Sequence, residues 1–149
     1  MKNDLTRLVL SVMTLVAGAA LEELMPKFLG VGFPVLLALA ILTALCSSLP
    51  VAIIYAVGAA AFEDSLGNLP YLTSAFFFLG AAAMARWSRL GLATMLVAYP
   101  CYQLWLDIWL PDAPGAVLLR FLFSVPVGIL TSLVAGLAFV LLERKAAIE

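Results

Sequence analysis

The charged residues of this 149-residue chain are confined to short breaks between long apolar runs. The chain has only 8 Lys or Arg and 9 Asp or Glu, and residues 28–62 include no charge at all. Hydrophobic residues make up 65% of the sequence and the mean hydropathy is +1.15, well above the values of an ordinary soluble domain. This pattern predicts one all-α domain, residues 1–149, that crosses a lipid bilayer several times.

The apolar runs predict six transmembrane helices. A helix needs about 20 mostly apolar residues to cross the hydrocarbon core. The run at 28–62 is too long for one crossing, and Pro50 is the natural break because proline cannot donate to the helical hydrogen-bond ladder. We expect Glu22 and Glu23 to close the first helix in solvent. The predicted helices are 5–21, 33–47, 50–62, 69–85, 90–110 and 116–142.

The basic residues predict how the chain is oriented. Lys and Arg are enriched in cytoplasmic connections of membrane proteins. With the N terminus inside, six of the eight basic residues lie on the cytoplasmic side, and only Lys27 and Arg120 lie outside. Both termini of a multi-pass membrane protein are therefore expected in the cytoplasm. The six inner residues are Lys2, Arg7, Arg86, Arg89, Arg144 and Lys145.

The first apolar run also has features of a secretory signal. Lys2 and Arg7 precede it, and Ala17-Gly18-Ala19 resembles a cleavage site. The run is long for a signal core, so we expect a retained helix. Whether residues 1–19 act as a signal anchor is left open, and their removal would not change the orientation of the other five helices.

The sequence offers no arrangement of residues for bond-making chemistry. It has no histidine, which removes the commonest general base and metal ligand. Its two cysteines, Cys46 and Cys101, lack the spacing of a metal or redox site, and no glycine-rich phosphate loop or basic patch is present. We therefore expect no enzymatic activity, no catalytic residue, no metal, no cofactor and no nucleic-acid partner; membrane lipid is the first expected partner.

Two stripes of small residues occur at intervals of four, which places each stripe on one helix face. Small side chains let helix backbones approach closely within lipid. Packing inside the bundle is the simpler interpretation, and docking of a helix from another protein is the alternative. The stripes are Gly128, Ser132 and Gly136 in the sixth predicted helix and Ala52, Ala56 and Ala60 in the third.

Four charged residues are predicted to gather near the outer side. Glu63 and Asp64 follow the third predicted helix, Asp107 lies in the last turn of the fifth, and Arg120 lies a turn into the sixth. An arginine in an apolar span either extends to the interface or pairs with an acid. An ion pair that orders the bundle is the favoured interpretation, and a ligand pocket or partner contact is the alternative.

The segment GAAAFEDSLGNLPYL, residues 58–72, resembles the rod shape-determining MreD family. In that family an apolar helix ends in an acidic residue, and a glycine, a proline and a second apolar helix follow; Glu63, Gly67 and Pro70 match this pattern. The family more often has Asp at the position of Glu63 and Gly at that of Tyr71. The resemblance implies a non-enzymatic inner-membrane scaffold of the cell-elongation machinery, which contacts the membrane helix of MreC and, through it, the peptidoglycan synthases.

The fold implied by this resemblance is similar to that of the substrate-capture subunits of energy-coupling-factor transporters. Such a subunit, binding a vitamin or metal from outside near Glu63, Asp64, Asp107 and Arg120, is the alternative function. The short outer connections favour the scaffold because they leave little chain to cover a small-molecule ligand. An ion-coupled transporter is disfavoured because the third to fifth predicted helices have no ionisable residue at the bilayer midplane.

Overall fold

The computed structural model describes residues 2–29, 33–67, 69–70, 72–88, 91–109 and 114–146, and these residues form six α-helices and no strand. The prediction of an all-α chain is confirmed. A short 3-10 helix, Gly91–Ala93, precedes the fifth α-helix. The helices are α1 (Lys2–Leu29), α2 (Val35–Cys46), α3 (Leu49–Leu66), α4 (Ala75–Trp87), α5 (Thr94–Trp109) and α6 (Pro114–Ala146).

The predicted break at Pro50 is confirmed. Ser47 and Ser48 separate α2 from α3, and Pro50 lies in the first turn of α3, where its missing N–H has no intrahelical partner to lose. The other end of α3 differs from the prediction. Because α3 continues to Leu66, Glu63 and Asp64 lie inside its last turns instead of following it.

The first helix does not end at Glu22 and Glu23, so that prediction was wrong. It continues to Leu29. Glu22 is half-buried and accepts a hydrogen bond from the backbone N–H of Leu36. Glu23 is exposed and pairs with Lys27 one turn later, at 2.9 Å, a spacing that supports the helix. The two adjacent carboxylates therefore have different environments, and neither terminates α1.

The fourth helix begins at Ala75 and not at residue 69. Its approach is a tight turn in which Thr73 donates to the carbonyl of Pro70 from both its backbone N–H and its hydroxyl, at 3.2 and 2.6 Å. Leu72 has a φ of +66°, in the left-handed region that a branched side chain rarely occupies. This turn cannot continue as a helix, so it delays the start of α4.

The second helix is the centre of the bundle, since it contacts each of the other five helices. It carries no charged residue, and Leu36, Leu37 and Ile41 are completely buried. Small residues of its neighbours allow close approach: a Cβ placed on Gly18 of α1 would lie 2.6 Å from Cδ1 of Leu39. Close backbone packing of this kind is typical of helices that associate in lipid.

Two helical segments are long and apolar enough to cross a bilayer, Val9–Phe28 and Leu49–Leu66. Three shorter apolar helical segments accompany them, Val35–Cys46, Ala75–Trp87 and Phe121–Leu137. Many large apolar side chains on α1 and α6 face away from the bundle, including Met13, Phe28, Phe123 and Leu133. The outer surface of these two helices is therefore apolar along much of its length.

The described side chains that cap the two ends of α2 differ in charge. The first turns of α2 and α4 lie near acidic side chains of α1 and α3. At the other end of α2, Nη1 of Arg86 donates to the carbonyls of Ala44 and Ser47, at 2.9 and 2.7 Å. A cation at a helix C terminus and carboxylates at an N terminus both complement the helix dipole.

Candidate functional site

Acidic side chains of α1 and α3 cap the helices that follow them. Oε2 of Glu22 accepts the backbone N–H of Leu36, in the first turn of α2, at 2.8 Å. The two carboxylate oxygens of Asp64 accept the backbone N–H of Ser74, directly before α4, at 3.0 and 3.3 Å. The first N–H groups of a helix have no intrahelical acceptor, so each carboxylate satisfies a donor that the apolar surroundings would leave unpaired.

Tyr102 of α5 connects these caps to Glu63. Its hydroxyl lies 2.8 Å from Oγ of Ser74 and donates to Oε1 of Glu63 at 3.2 Å. Because a phenol has one hydrogen, the Ser74 hydroxyl must be the donor to Tyr102 when Tyr102 donates to Glu63. The hydrogen bonds therefore run in one direction, from Ser74 through Tyr102 to Glu63.

The side chains of Glu22 and Glu63 lie within hydrogen-bonding reach of each other. The contact joins α1 to α3. Oε2 of Glu63 is buried and has no hydrogen-bond donor in the described part of the chain. We use the name carboxyl network for the linked side chains of Glu22, Glu63, Asp64, Ser74 and Tyr102.

Aromatic side chains surround the carboxyl network. The ring of Tyr102 packs edge-on against Phe78, with ring centroids 5.8 Å apart, and lies 5.6 Å from that of Phe77. Nε1 of Trp105 donates to the carbonyl of Thr73 at 3.3 Å. Phe78 and Asp64 are almost completely buried. The network is thus held between α1, α3, α4 and α5 in an apolar environment that strengthens its hydrogen bonds.

Gly67 and Pro70 position Asp64 against Ser74. Gly67 ends α3, and a Cβ there would lie 3.3 Å from the carbonyl oxygen of Glu63, a tight approach. The backbone N–H of Leu69 returns to the carbonyl of Asp64 at 2.9 Å, and the turn at Pro70 follows. The three residues that carry the family resemblance therefore belong to one connection, from Glu63 to the start of α4.

Of the four charged residues grouped from the sequence, the structure brings Glu63 and Asp64 into one network. The side chains of Asp107 and Arg120 lie outside the described residues. The network also contains Glu22, Ser74 and Tyr102, which sequence reasoning did not assign to it. Glu22 precedes Glu63 by 41 positions, and only the α1–α3 contact brings the two together.

The backbones of α5 and α6 show where Asp107 and Arg120 lie along the bundle. A Cβ on Gly128 would lie 3.5 Å from the carbonyl of Met95 and 3.7 Å from the Tyr99 ring, so these segments face each other. The two helices run in opposite directions. Arg120 precedes Gly128 by eight residues, about 12 Å of helix, which places its backbone level with the last turns of α5, where Asp107 lies.

The two small-residue stripes have different environments. Ala52, Ala56 and Ala60 are buried inside the bundle, so the protein's own helices occupy that face of α3. On α6, Gly128 is buried against α5, whereas a Cβ on Gly136 would meet no atom within 4 Å. Ser132 is half-buried between them. The α6 stripe is therefore packed against α5 at Gly128 and becomes progressively less covered toward Gly136.

An apolar groove of about 410 Å³ lies between α1 and α6, with α2 as its floor. The described residues of α1 and α6 do not contact each other, which leaves this side of α2 uncovered. The groove lining exposes apolar atoms only. Its floor and walls include Leu21, Met25, Leu39, Leu42, Leu130 and Val134.

No family model matches this chain, and neither a curated protein nor a solved structure gives a significant match. The described side chains include no group of three His, Cys, Asp or Glu that could hold a metal ion. What the carboxyl network can do is cap helices, accept hydrogen bonds and hold protons.

Proposed function

We propose that this protein is a non-enzymatic, multi-pass scaffold of a bacterial inner membrane that binds a single membrane helix of a partner protein. The observation that carries the proposal is the apolar groove between α1 and α6. A groove that exposes only apolar atoms suits an apolar helix in lipid, since polar groups within lipid require internal partners.

The apolar outer surface of the bundle supports a membrane location. Leu133 and Val134 of α6 are 66% and 64% exposed, and Met13 of α1 is also 64% exposed. In water, a continuous apolar surface of this extent is an aggregation hazard, whereas in lipid it is ordinary. We therefore treat α1 to α6 as the six crossings, with Arg86 at the cytoplasmic end and the carboxyl network near the outer end.

The resemblance at Glu63, Gly67 and Pro70 supplies the proposed biological setting. A scaffold of this kind would hold an MreC-like membrane protein and, through it, the cell-wall synthases that elongate a rod-shaped cell. Those three residues build the connection that fixes α4 against α3 and α5. They therefore serve the architecture of the bundle, and the groove on its opposite flank, lined by α1, α2 and α6, serves the partner.

The test of this function is purification from native membranes in mild detergent, followed by identification of the chains that accompany the protein. We expect an MreC-like protein and cell-wall synthases. Val134→Trp should fill the groove and reduce their recovery several-fold. Leu133→Trp is the matched control, because Leu133 is the preceding residue, is similarly exposed and does not line the groove. Equal recovery with both variants would contradict the groove as the binding surface.

Sidedness is tested by cysteine labelling. After Cys46 and Cys101 are replaced, an impermeant maleimide added to intact cells should label a cysteine at Ser65, near the outer end, and should not label one at Trp87, near Arg86. Both positions are exposed. Labelling of the two positions from the same side would contradict the six-crossing arrangement.

The second candidate function is that of a substrate-capture subunit of an energy-coupling-factor transporter. The observation that favours it is the buried Oε2 of Glu63, which has no donor among the described residues and would accept a hydrogen bond from a ligand. Oε2 of Glu22, Oε1 of Glu63 and both oxygens of Asp64 already accept hydrogen bonds, from Leu36, Tyr102 and Ser74 respectively. Recovery of an ATP-hydrolysing transport module or a bound vitamin would establish this function in place of the scaffold.

A further inference from the structure

The contact between Glu22 and Glu63 brings two carboxyl groups together among apolar residues. Both residues are at least half-buried, and the contact lies within segments apolar enough to cross a bilayer. Two ionised carboxylates in contact repel each other, and neither has a hydrogen to donate. A proton or another cation must therefore accompany the two carboxyl groups.

The described basic side chains interact with groups other than Glu22 and Glu63. Lys27 pairs with Glu23 on the exposed face of α1, and Arg86 caps the far end of α2. The described residues of α6 contact α2 and α5 but neither α1 nor α3. The backbone position of Arg120, level with the last turns of α5, places that residue beyond Tyr102 toward the end of the bundle.

The described groups that contact the pair donate hydrogen bonds but carry no positive charge. α2 contributes the backbone N–H of Leu36, and α5 contributes the hydroxyl of Tyr102. α4 carries no titratable side chain at this end, since Arg86 lies at its opposite end. The titratable side chains that face the pair from the helices packed around it are Asp64 of α3 and Tyr99 and Tyr102 of α5.

We propose that Glu22 and Glu63 form a proton-binding site in which the two carboxyl groups share one proton. One carboxyl group is the O–H donor and the other is the acceptor, so the pair carries a single negative charge. That charge is stabilised by the Leu36 N–H at Oε2 of Glu22 and by the Tyr102 hydroxyl at Oε1 of Glu63. Oε2 of Glu63, which has no other donor among the described residues, is the position at which the proton completes the hydrogen bonding.

The shared proton joins α1 to α3. These helices also meet through the Tyr55 hydroxyl, which donates to Oγ1 of Thr14 at 3.1 Å. Loss of the proton would place two negative charges in contact in an apolar environment and would favour separation of the two helices. Because α1 is also one wall of the groove, protonation of the pair holds that wall in place. This inference does not depend on which partner the groove binds.

The experiment is infrared spectroscopy of the whole protein in lipid nanodiscs at neutral pH, in H₂O and in D₂O. A protonated carboxyl group has a C=O band, well separated from carboxylate bands, that shifts in D₂O. We expect this band in the unmodified protein. Glu22→Gln should remove it, because the glutamine amide donates to Glu63 in place of the shared proton, and the double variant with Glu63→Gln should lack it too.

Glu23→Gln is the matched control, since Glu23 is the neighbouring carboxylate, exposed and paired with Lys27; this variant should keep the band unchanged. Absence of the band from the unmodified protein would overturn the proposal without any variant. Persistence of the band in the double variant would overturn it by assigning the proton to another group. Loss of the band when sodium chloride replaces choline chloride would overturn it in favour of a bound metal cation.

Discussion

The carboxylate of Asp64 accepts the backbone N–H of Ser74 with both of its oxygens, at 3.0 and 3.3 Å, in a position where the side chain of Asp64 is 1% exposed. This single side chain ties the end of α3 to the beginning of α4. Glu22 has the same relationship to α2, so two consecutive helical hairpins use the same device: a carboxylate of the first helix caps the second.

Asp64→Ala should lower the free energy of unfolding by about 1–3 kcal/mol, because it leaves the buried N–H of Ser74 without an acceptor. Unfolding by sodium dodecyl sulfate titration in detergent micelles measures the loss. Glu23→Ala is the control and should cost less than about 1 kcal/mol, since exposed ion pairs contribute little. Equal losses would mean that the Asp64 cap does not stabilise the bundle.

Tyr102→Phe should lower the free energy of unfolding by about 1–2 kcal/mol while it keeps the aromatic packing against Phe77 and Phe78. The phenylalanine leaves Oγ of Ser74 and Oε1 of Glu63 without their shared partner. A double-mutant cycle with Ser74→Ala checks this: we expect the two losses to be clearly non-additive, with a coupling of at least about 0.5 kcal/mol. Simple additivity would show that the two hydroxyls act independently.

The all-α class and the approximate positions of the helices could be predicted from the sequence because long apolar runs separated by short charged breaks are a strong helix pattern. Apolar runs must be helical to satisfy their backbone hydrogen bonds, and Pro50 marks the break between α2 and α3 for a local reason. The all-α chain and that break are confirmed, and two of the six predicted crossings are long and apolar enough as helices to span a bilayer.

The membership of the carboxyl network could only be predicted in part. Glu63 and Asp64 are adjacent acids at the end of an apolar run, a signal that the sequence displays. The sequence interpretation places both Glu22 and Glu23 in solvent at the end of the first helix, yet on a helix adjacent residues point in directions about 100° apart. Nothing in the sequence indicates that Tyr102 belongs to the network, because its partner Ser74 lies 28 residues earlier. Only the packing of α5 on α4 brings the two residues together.

Gly18→Leu should destabilise the packing of α1 on α2 by about 1–3 kcal/mol, because even a Cβ at that position would lie 2.6 Å from Leu39 and 3.3 Å from Leu36. Gly80→Leu is the matched control. A Cβ on Gly80 would meet no atom within 4 Å, and leucine has the higher helix propensity, so this variant should be neutral or slightly stabilising. The same detergent unfolding titration measures both. A neutral Gly18→Leu variant would show that α1 and α2 are not closely packed there.

The backbones of Asp107 and Arg120 lie at the same height along the bundle, which makes the ion pair suggested by the sequence testable. If the two side chains pair between α5 and α6, Asp107→Ala and Arg120→Ala should each destabilise the protein, and the double variant should lose little more than either single variant. The coupling expected from such a cycle is about 0.5–3 kcal/mol. The exposed pair of Glu23 and Lys27, treated in the same way, should show a coupling of only about 0.3–0.5 kcal/mol, as is usual for a helix-surface pair. Removing a cation that pairs with an acid in an apolar setting leaves the charge of the acid uncompensated, so the effects of the two substitutions would not be additive. Additive effects at Asp107 and Arg120 would therefore mean that the two side chains do not pair and that the arginine extends alone to the membrane surface.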